Sequence, residues 1–424
     1  MKYIALAASL FLALSATRAG GQAPNLGPAD AQFKAGKFGQ AQKIYTRAAT
    51  YQPGNLASQI QLGRIALLEN HLELAEARLK KALSLEPGNA DAKILLAEAF
   101  YRRDNFVEAA NALTGLGPAD NQKLANFSTL NQAKLKSFQG KTPYEIQGQG
   151  ENTTLKFVVR DPLPLVKVRI NGGKEVVFFI DTGGAELALD TTFAKELGIP
   201  QFGDVQGTFS GGQHAAVGNG RIDSLTVGDW VVKNVPVQIL ALRQLSQPLG
   251  VQQIDGVIGT IFLAHFRSTI DFRNGKLILR RKTDQETING IQVPFWLAGD
   301  HFIVAWGKVN ALPSSLFFID TGVAGAGAKL APSVIKQAGI NLDEKKASAG
   351  AGGGGSFTTV PYEIQQLSLG DIRETKVSGV YDGAFPWESS LGFYIAGSVG
   401  HDFFQPYAVT VDFTKMQMIF DSGK

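Results

Sequence analysis

Phe178-Phe179-Ile180-Asp181-Thr182-Gly183 occurs a second time as Phe317-Phe318-Ile319-Asp320-Thr321-Gly322, 139 residues later. In each copy an apolar run suited to a buried strand delivers an aspartate into a Thr-Gly turn. A carboxylate at the end of a core strand is costly to bury without a partner or a task. Two copies in one chain can supply the two halves of one site.

The surroundings of the two copies also repeat. Leu225-Thr226-Val227-Gly228-Asp229 returns as Leu367-Ser368-Leu369-Gly370-Asp371, 142 residues on. Gly256-Val257-Ile258-Gly259 returns as Gly397-Ser398-Val399-Gly400, and Ile270-Asp271-Phe272 as Val411-Asp412-Phe413, both at an offset of 141. Three landmarks in one order imply a duplication, with two similar all-β lobes over 151–285 and 286–424. Within the first lobe, alternation predicts strands over 155–160 and 165–170, separated at Pro162 and Pro164. Asn171-Gly172 is a hairpin turn leading into a strand over 174–180. A short strand over 187–189 precedes a helix over 191–197, capped by Asp190 or Thr191 and stopped by Gly198 and Pro200. The Gly-rich stretch 207–220 reads as a mobile hairpin, followed by strands over 222–227 and 231–240. A short apolar helix ends at Phe266, and a hairpin of 268–272 with 276–280 closes the lobe. Gly350 to Gly355 falls where the Gly-rich hairpin falls in the first lobe. It is no phosphate loop, because no Gly-Lys-Ser/Thr follows.

Ahead of the lobes the period is different. Pro53-Gly54-Asn55 returns as Pro87-Gly88-Asn89, and Ala41, Ala75 and Ala109 stand 34 residues apart, as do Ala29, Gly63 and Ala97. Small residues at fixed places let paired helices approach closely, and proline stops the second helix of a pair. Residues 28–120 resemble the tetratricopeptide (TPR) repeat, with three units of which the first is degenerate. The resemblance implies a short all-α solenoid that either holds a protein partner or packs against the following domain. Residues 121–150 are polar, with a helix expected near 130–138, and read as the linker.

Composition narrows the remainder. With 424 residues the chain divides into two or three domains, and a net charge of +4 without a polybasic tract points away from nucleic acid. Residues 1–19 have the form of a cleaved signal peptide: Lys2, then a short apolar run, then small residues around Ala16 and Ala19. The absence of cysteine excludes disulfides, thiol catalysis and Cys-based metal sites. Together these place the mature chain as an exported bacterial protein, periplasmic or secreted, with no membrane span after signal cleavage.

Strand, Asp-Thr-Gly and a later apolar-apolar-Gly element, twice over, resemble the aspartic proteases of the retropepsin/pepsin type across residues 150–424. The resemblance implies a duplicated acid-protease fold of two β-barrel-like lobes. It implies a monomeric catalytic unit that hydrolyses a polypeptide substrate without metal or organic cofactor. Carried over, the catalytic pair is Asp181 and Asp320. Two carboxylates about 3 Å apart share one proton, so one acts as base and the other as acid. Gly183 and Gly322 let the backbone come close to the carboxylates, Thr182 and Thr321 cross-bond beneath them, and the two Gly-rich hairpins act as flaps. The chain departs from the family at Gly184 and Val323, where pepsin-like members carry Ser or Thr, and at Ser398, which replaces an apolar residue. These substitutions motivate the alternative of a non-catalytic peptide-binding or scaffold protein. Asp271 and Asp412 read as structural hairpin residues. His71, His214, His265, His301 and His401 lack metal-binding spacing, and no Gly-x-Ser-x-Gly elbow occurs.

Overall fold

The computed structural model describes residues 25–124 and 127–423. The signal-like segment 1–19 lies outside the described residues. Among those described, no helix is long and apolar enough to cross a membrane.

Three helix pairs come first: Gly27–Lys34 with Phe38–Tyr51, Leu56–Leu68 with Leu72–Leu85, and Ala90–Tyr101 with Phe106–Ala112. The residues of the 34-residue period hold them together. Ala29, Ala41, Ala75, Ala97 and Ala109 have no exposed surface. A Cβ on Gly63 would come within 2.7 Å of the Leu79 side chain, so only glycine admits this close approach. The Pro-Gly-Asn motifs are both stop and start signals. Helices end at Tyr51 and Leu85, just ahead of the prolines, and the asparagines then cap the next helices. Asn55 accepts from the Ser58 N–H at 2.9 Å, and Asn89 from the Ala92 N–H at 3.0 Å.

Each following lobe is built on an eight-stranded mixed sheet. The first runs in the order Glu145–Gln147, Trp230–Leu240, Leu187–Asp190, Gly256–Ile258, Glu175–Ile180, Leu165–Ile170, His214–Val227, Gln201–Thr208. The second has the order Trp296–Ala298, Phe302–Val309, Ser315–Ile319, Ile395–Val399, Ala328–Leu330, Ile372–Tyr381, Gly355–Leu369, Ser348–Gly352. In both lobes the strand leading to the aspartate pairs in parallel with the apolar-Gly strand. The Asn171-Gly172 turn has both residues at positive φ (50° and 70°), the backbone twist that a tight hairpin requires.

The expectation of two β-barrel-like, all-β lobes is not met. The sheets are open: neither Glu145–Gln147 with Gln201–Thr208 nor Trp296–Ala298 with Ser348–Gly352 forms a pair. Pairing of His214–Val227 with Trp230–Leu240 folds the first sheet over on itself but leaves those end strands apart. Strands that were to close the lobes are used elsewhere. Arg267–Asp271, Lys276–Arg280 and Asn152–Lys156 join Ile291–Pro294, Gln417–Asp421 and Ala408–Asp412 in a six-stranded sheet shared by both lobes. Its centre is the antiparallel pairing of Ser268 through Asp271 with Val411 through Ala408. The Thr269 and Thr410 hydroxyls bond across that seam at 2.6 Å. The short helices Thr191–Glu196, Thr260–Leu263, Pro332–Gln337 and His401–Phe404 also make the lobes less than all-β.

The helical repeats are packed onto both lobes. Arg64 donates to the Leu391 carbonyl at 2.6 Å, and the Tyr394 N–H donates to the Lys34 carbonyl at 3.0 Å. Phe33, Phe38, Trp296 and Phe393 form an edge-to-face cluster with centroids 5.0–5.9 Å apart. Arg102 donates to the carbonyls of Leu67 (2.7 Å), Leu297 (3.2 Å) and Gly299 (2.5 Å), and pairs with Glu98 at 2.5 Å. Burial pushes the Glu98 carboxyl up to about 7, with Arg102 pulling it back. Replacing Arg102 by Met orphans three carbonyls and the buried Glu98. In urea denaturation Arg102→Met is expected to lower unfolding free energy by about 3 kcal/mol. Repeats and lobes are expected to unfold in one transition.

Candidate active site

The two Asp-Thr-Gly turns meet at the boundary of the lobes. Backbone bonds place each aspartate: the Asp181 N–H donates to the Ile258 carbonyl and the Asp320 N–H to the Val399 carbonyl, both at 3.0 Å. The turns are locked to each other by their threonines. The Thr182 N–H donates to Thr321 Oγ1, and the Thr321 N–H to Thr182 Oγ1, each at 3.0 Å. The Thr182 hydroxyl donates to the Ile319 carbonyl at 2.8 Å, and the Thr321 hydroxyl reaches the Ile180 carbonyl at 3.4 Å. Both threonines are buried, so these bonds are not exchanged for water.

The carboxylates face one another across the glycines. A Cβ on Gly183 would come within 2.3 Å of Asp320 Oδ1, and one on Gly322 within 2.3 Å of Asp181 Oδ1. No residue but glycine fits at either place. Each glycine also donates its N–H to its own aspartate, Gly183 to Asp181 Oδ1 at 2.7 Å and Gly322 to Asp320 Oδ1 at 3.1 Å. Val323 leaves its turn undisturbed. Its N–H bonds to the Asp320 carbonyl at 3.2 Å, as that of Gly184 bonds to Asp181.

Burial raises the pKa of both carboxyls. Asp320 lies well above the ordinary carboxylate range, through burial first and then the adjacent Asp181 charge, opposed by Lys329 and the Gly322 N–H. Asp181 is raised by burial and held back by the Gly183 N–H, His301 and Asp320. The interaction between the two carboxyls raises Asp320 and lowers Asp181.

Two further polar groups stand near the site, and sequence reasoning missed Glu186 altogether and took His301 only as a histidine without metal-binding spacing. Glu186, five residues after Asp181, is fully buried. Lys134 of the linker helix Gln132–Lys136 donates to its two oxygens at 2.8 and 2.7 Å, and the Tyr101 hydroxyl donates to it as well. Burial pushes Glu186 up and Lys134 down, while the pairing pulls each back. The second group is His301, bonded through Nδ1 to buried Asp300. Asp300 also accepts from the Ser128 hydroxyl at 3.0 Å and the Thr129 N–H at 3.2 Å.

The remaining singled-out residues lie elsewhere. Asp271 accepts from the Asn274 N–H, and Asp412 from the N–H groups of Thr414 and Lys415, so both are turn residues. His265 pairs with Asp104 at 3.0 Å, and the His71 side chain is 64% exposed. Asp161, His401 and Asp402 bring ligand atoms within 4.8 Å of one another. Their carboxylates are already engaged, Asp402 by the Ser378 hydroxyl and Asp161 by Gln405. The tips of the Gly-rich hairpins touch each other. Gly211 lies against Phe357, and Gly353 and Gly354 lie against Phe209.

Two known families match parts of the chain. Residues 166–262 match the family described as Aspartyl protease. Residues 66–135 match that described as Tetratricopeptide repeat. No curated protein matches the chain. The chain is an N-terminal TPR-like repeat region followed by an aspartic-protease-like domain of the retropepsin type.

The raised Asp320 pKa has a stability signature. An unfolded aspartate ionises near pH 4, about the value of a free side chain. The folded form resists ionisation, so folding loses stability as pH rises past that point. Asp320→Asn removes this loss. Its thermal midpoint is expected above that of the wild type at pH 7, with the difference shrinking towards pH 3.

Proposed function

We propose that this chain is an aspartic endopeptidase that hydrolyses peptide bonds with a water activated between Asp181 and Asp320. The observation that carries this reading is the facing pair of carboxylates, both raised by burial, set on threonine-locked turns. A scaffold gains nothing from two facing carboxylates that destabilise it at neutral pH.

The division of labour follows from the charges. Asp181, ionised, takes a proton from the water as its oxygen attacks the peptide carbonyl carbon. Asp320, protonated, donates to the carbonyl oxygen as negative charge develops there. Collapse of the gem-diol intermediate then returns a hydroxyl proton to Asp320 and expels the amine, which receives the proton held by Asp181, so both carboxyls regain their starting states. Thr182 and Thr321 act as positioning residues, holding the carboxylates in register. The Gly-rich hairpins act as flaps that exclude water from the bound peptide. The TPR-like repeats recruit a protein partner or the substrate through surface not packed on the lobes. The chain works after export to the periplasm or the medium, the segment 1–19 being removed.

Cleavage of an unfolded protein across pH 3–7 tests the reading. The wild type is expected to cleave, and a statine-type transition-state mimic to block it. Asp181→Asn and Asp320→Asn should each reduce turnover by at least about 10³-fold, the scale for loss of an essential acid–base group. Full activity in either variant overturns the proposal. No cleavage by the wild type, together with tight retention of peptide, favours a peptide-binding module.

A further inference from the structure

The lobes carry different chemistry at equivalent positions beside the carboxylates. In the first lobe Ala188 pairs with Val257 across adjacent strands, and in the second Lys329 pairs with Ser398 in the same register. Val257 stands behind the first turn, where a Cβ on Gly184 would meet its side chain at 3.7 Å. Around it Leu163, Phe179, Ala188 and Leu240 form an apolar wall, with Phe209 of the hairpin packed against it. The tip of the second lobe's hairpin touches this wall, Gly353 lying beside Leu240.

The second wall is polar under an aromatic cover. Lys329 is 3% exposed, with its ammonium 2.5 Å from Asp382 Oδ2 and 5.8 Å from the Trp387 ring. Phe302, Phe318 and Phe385 surround that ring. The tip of the first lobe's hairpin closes over this wall, the Gly211 N–H donating to Asp382 Oδ2 at 2.6 Å. Ser398 is 1% exposed, and its hydroxyl has no hydrogen-bond partner among the described residues. Among the described residues the Lys329 ammonium has no hydrogen-bond partner beyond its ion pair with Asp382. The fold does not require these polar groups, because the first lobe builds the same place from Ala188 and Val257. A buried hydroxyl and spare ammonium hydrogens without partners are unfavourable until a ligand satisfies them.

We propose that Lys329, Asp382 and Ser398 form a specificity subsite for a neutral carboxamide side chain, asparagine or glutamine, on one side of the scissile bond. The apolar wall of the first lobe takes an aliphatic side chain on the other. This rests on the endopeptidase reading. Charge selects the carboxamide. Lys329 and Asp382 cancel, and the carboxylate pair with one shared proton already holds one negative charge. A substrate carboxylate adds a second buried negative charge, and a substrate lysine meets Lys329. An aliphatic group leaves the polar atoms orphaned. A carboxamide oxygen accepts from Lys329, while its N–H donates to Ser398 or Asp382.

The test uses the full chain and peptides with leucine on one side of the cleaved bond and Gln, Glu, Leu or Lys on the other. The Gln peptide is expected to exceed the Leu peptide in kcat/KM by about tenfold, the effect of one satisfied hydrogen-bonding pair. Ser398→Val, which copies Val257, should reduce that ratio. Lys329→Met/Asp382→Asn, which removes both charges, should turn the preference towards leucine. Binding of the same peptides to Asp181→Asn, followed by fluorescence anisotropy, reads the subsite without turnover. Selective binding of the Gln peptide without wild-type cleavage supports the subsite and overturns the endopeptidase reading. Cleavage that favours Leu, Glu or Lys overturns the subsite, as does a ratio unchanged in folded Ser398→Val. Ser398→Val decides the matter if the double variant fails to fold.

Discussion

The crossed hydrogen bonds of Thr182 and Thr321 are the constraint on which the rest of the molecule depends. Each hydroxyl accepts from the opposite turn's N–H and donates to the opposite strand's carbonyl. Two buried carboxylates would otherwise separate or draw in water. The threonines bind the lobes together at the point of greatest repulsion, and the shared six-stranded sheet holds them from a second side. Burial first, and the Asp181 charge second, hold Asp320 well above the usual carboxylate range. The burial that raises both carboxyls is also what lowers stability at neutral pH.

The repeats are part of this arrangement. Lys134 and Tyr101 hold Glu186, and through it the loop that leaves the first Asp-Thr-Gly turn. Ser128 and Thr129 hold Asp300, which bonds His301, a residue of the other lobe whose charge lowers the Asp181 pKa. Linker and helices therefore reach both sides of the site, through the buried Tyr101, Lys134 and Glu186 on one side and the buried Thr129 and Asp300 on the other. A bidentate ion pair without exposed surface is sensitive to small displacements, because either partner left alone is strongly unfavourable.

Duplication supplied two lobes of one plan, and the chemistry has since diverged between them. The turns and their backbone bonds are nearly superimposable in pattern, down to the N–H of Gly184 and of Val323 each closing on its aspartate. The walls beside them differ, Ala188 and Val257 against Lys329 and Ser398. An asymmetric pair of walls suits a ligand that is itself asymmetric, and a polypeptide has different side chains on either side of any bond.

The sequence by itself determined the repeat region and the local elements of the lobes. The 34-residue period marks residues that have no exposed surface, and alternation with an Asn-Gly turn marks the strand Leu165–Ile170 and its hairpin. Side-chain patterns report which face of an element is buried, and that information is local. They do not report which backbone edge pairs with which, since every edge carries the same N–H and C=O groups. For that reason the hairpin of Arg267–Asp271 and Lys276–Arg280 was legible, whereas its joining to the other lobe in an open, shared sheet was not. The same holds at the site. The repeated Asp-Thr-Gly strings identify two turns in advance. The ties from Lys134 to Glu186 and from Lys329 to Asp382 span about fifty residues without a common period. Only the tertiary structure decided them, because a buried ion pair is specified by where two chain segments meet and not by what surrounds either one in sequence.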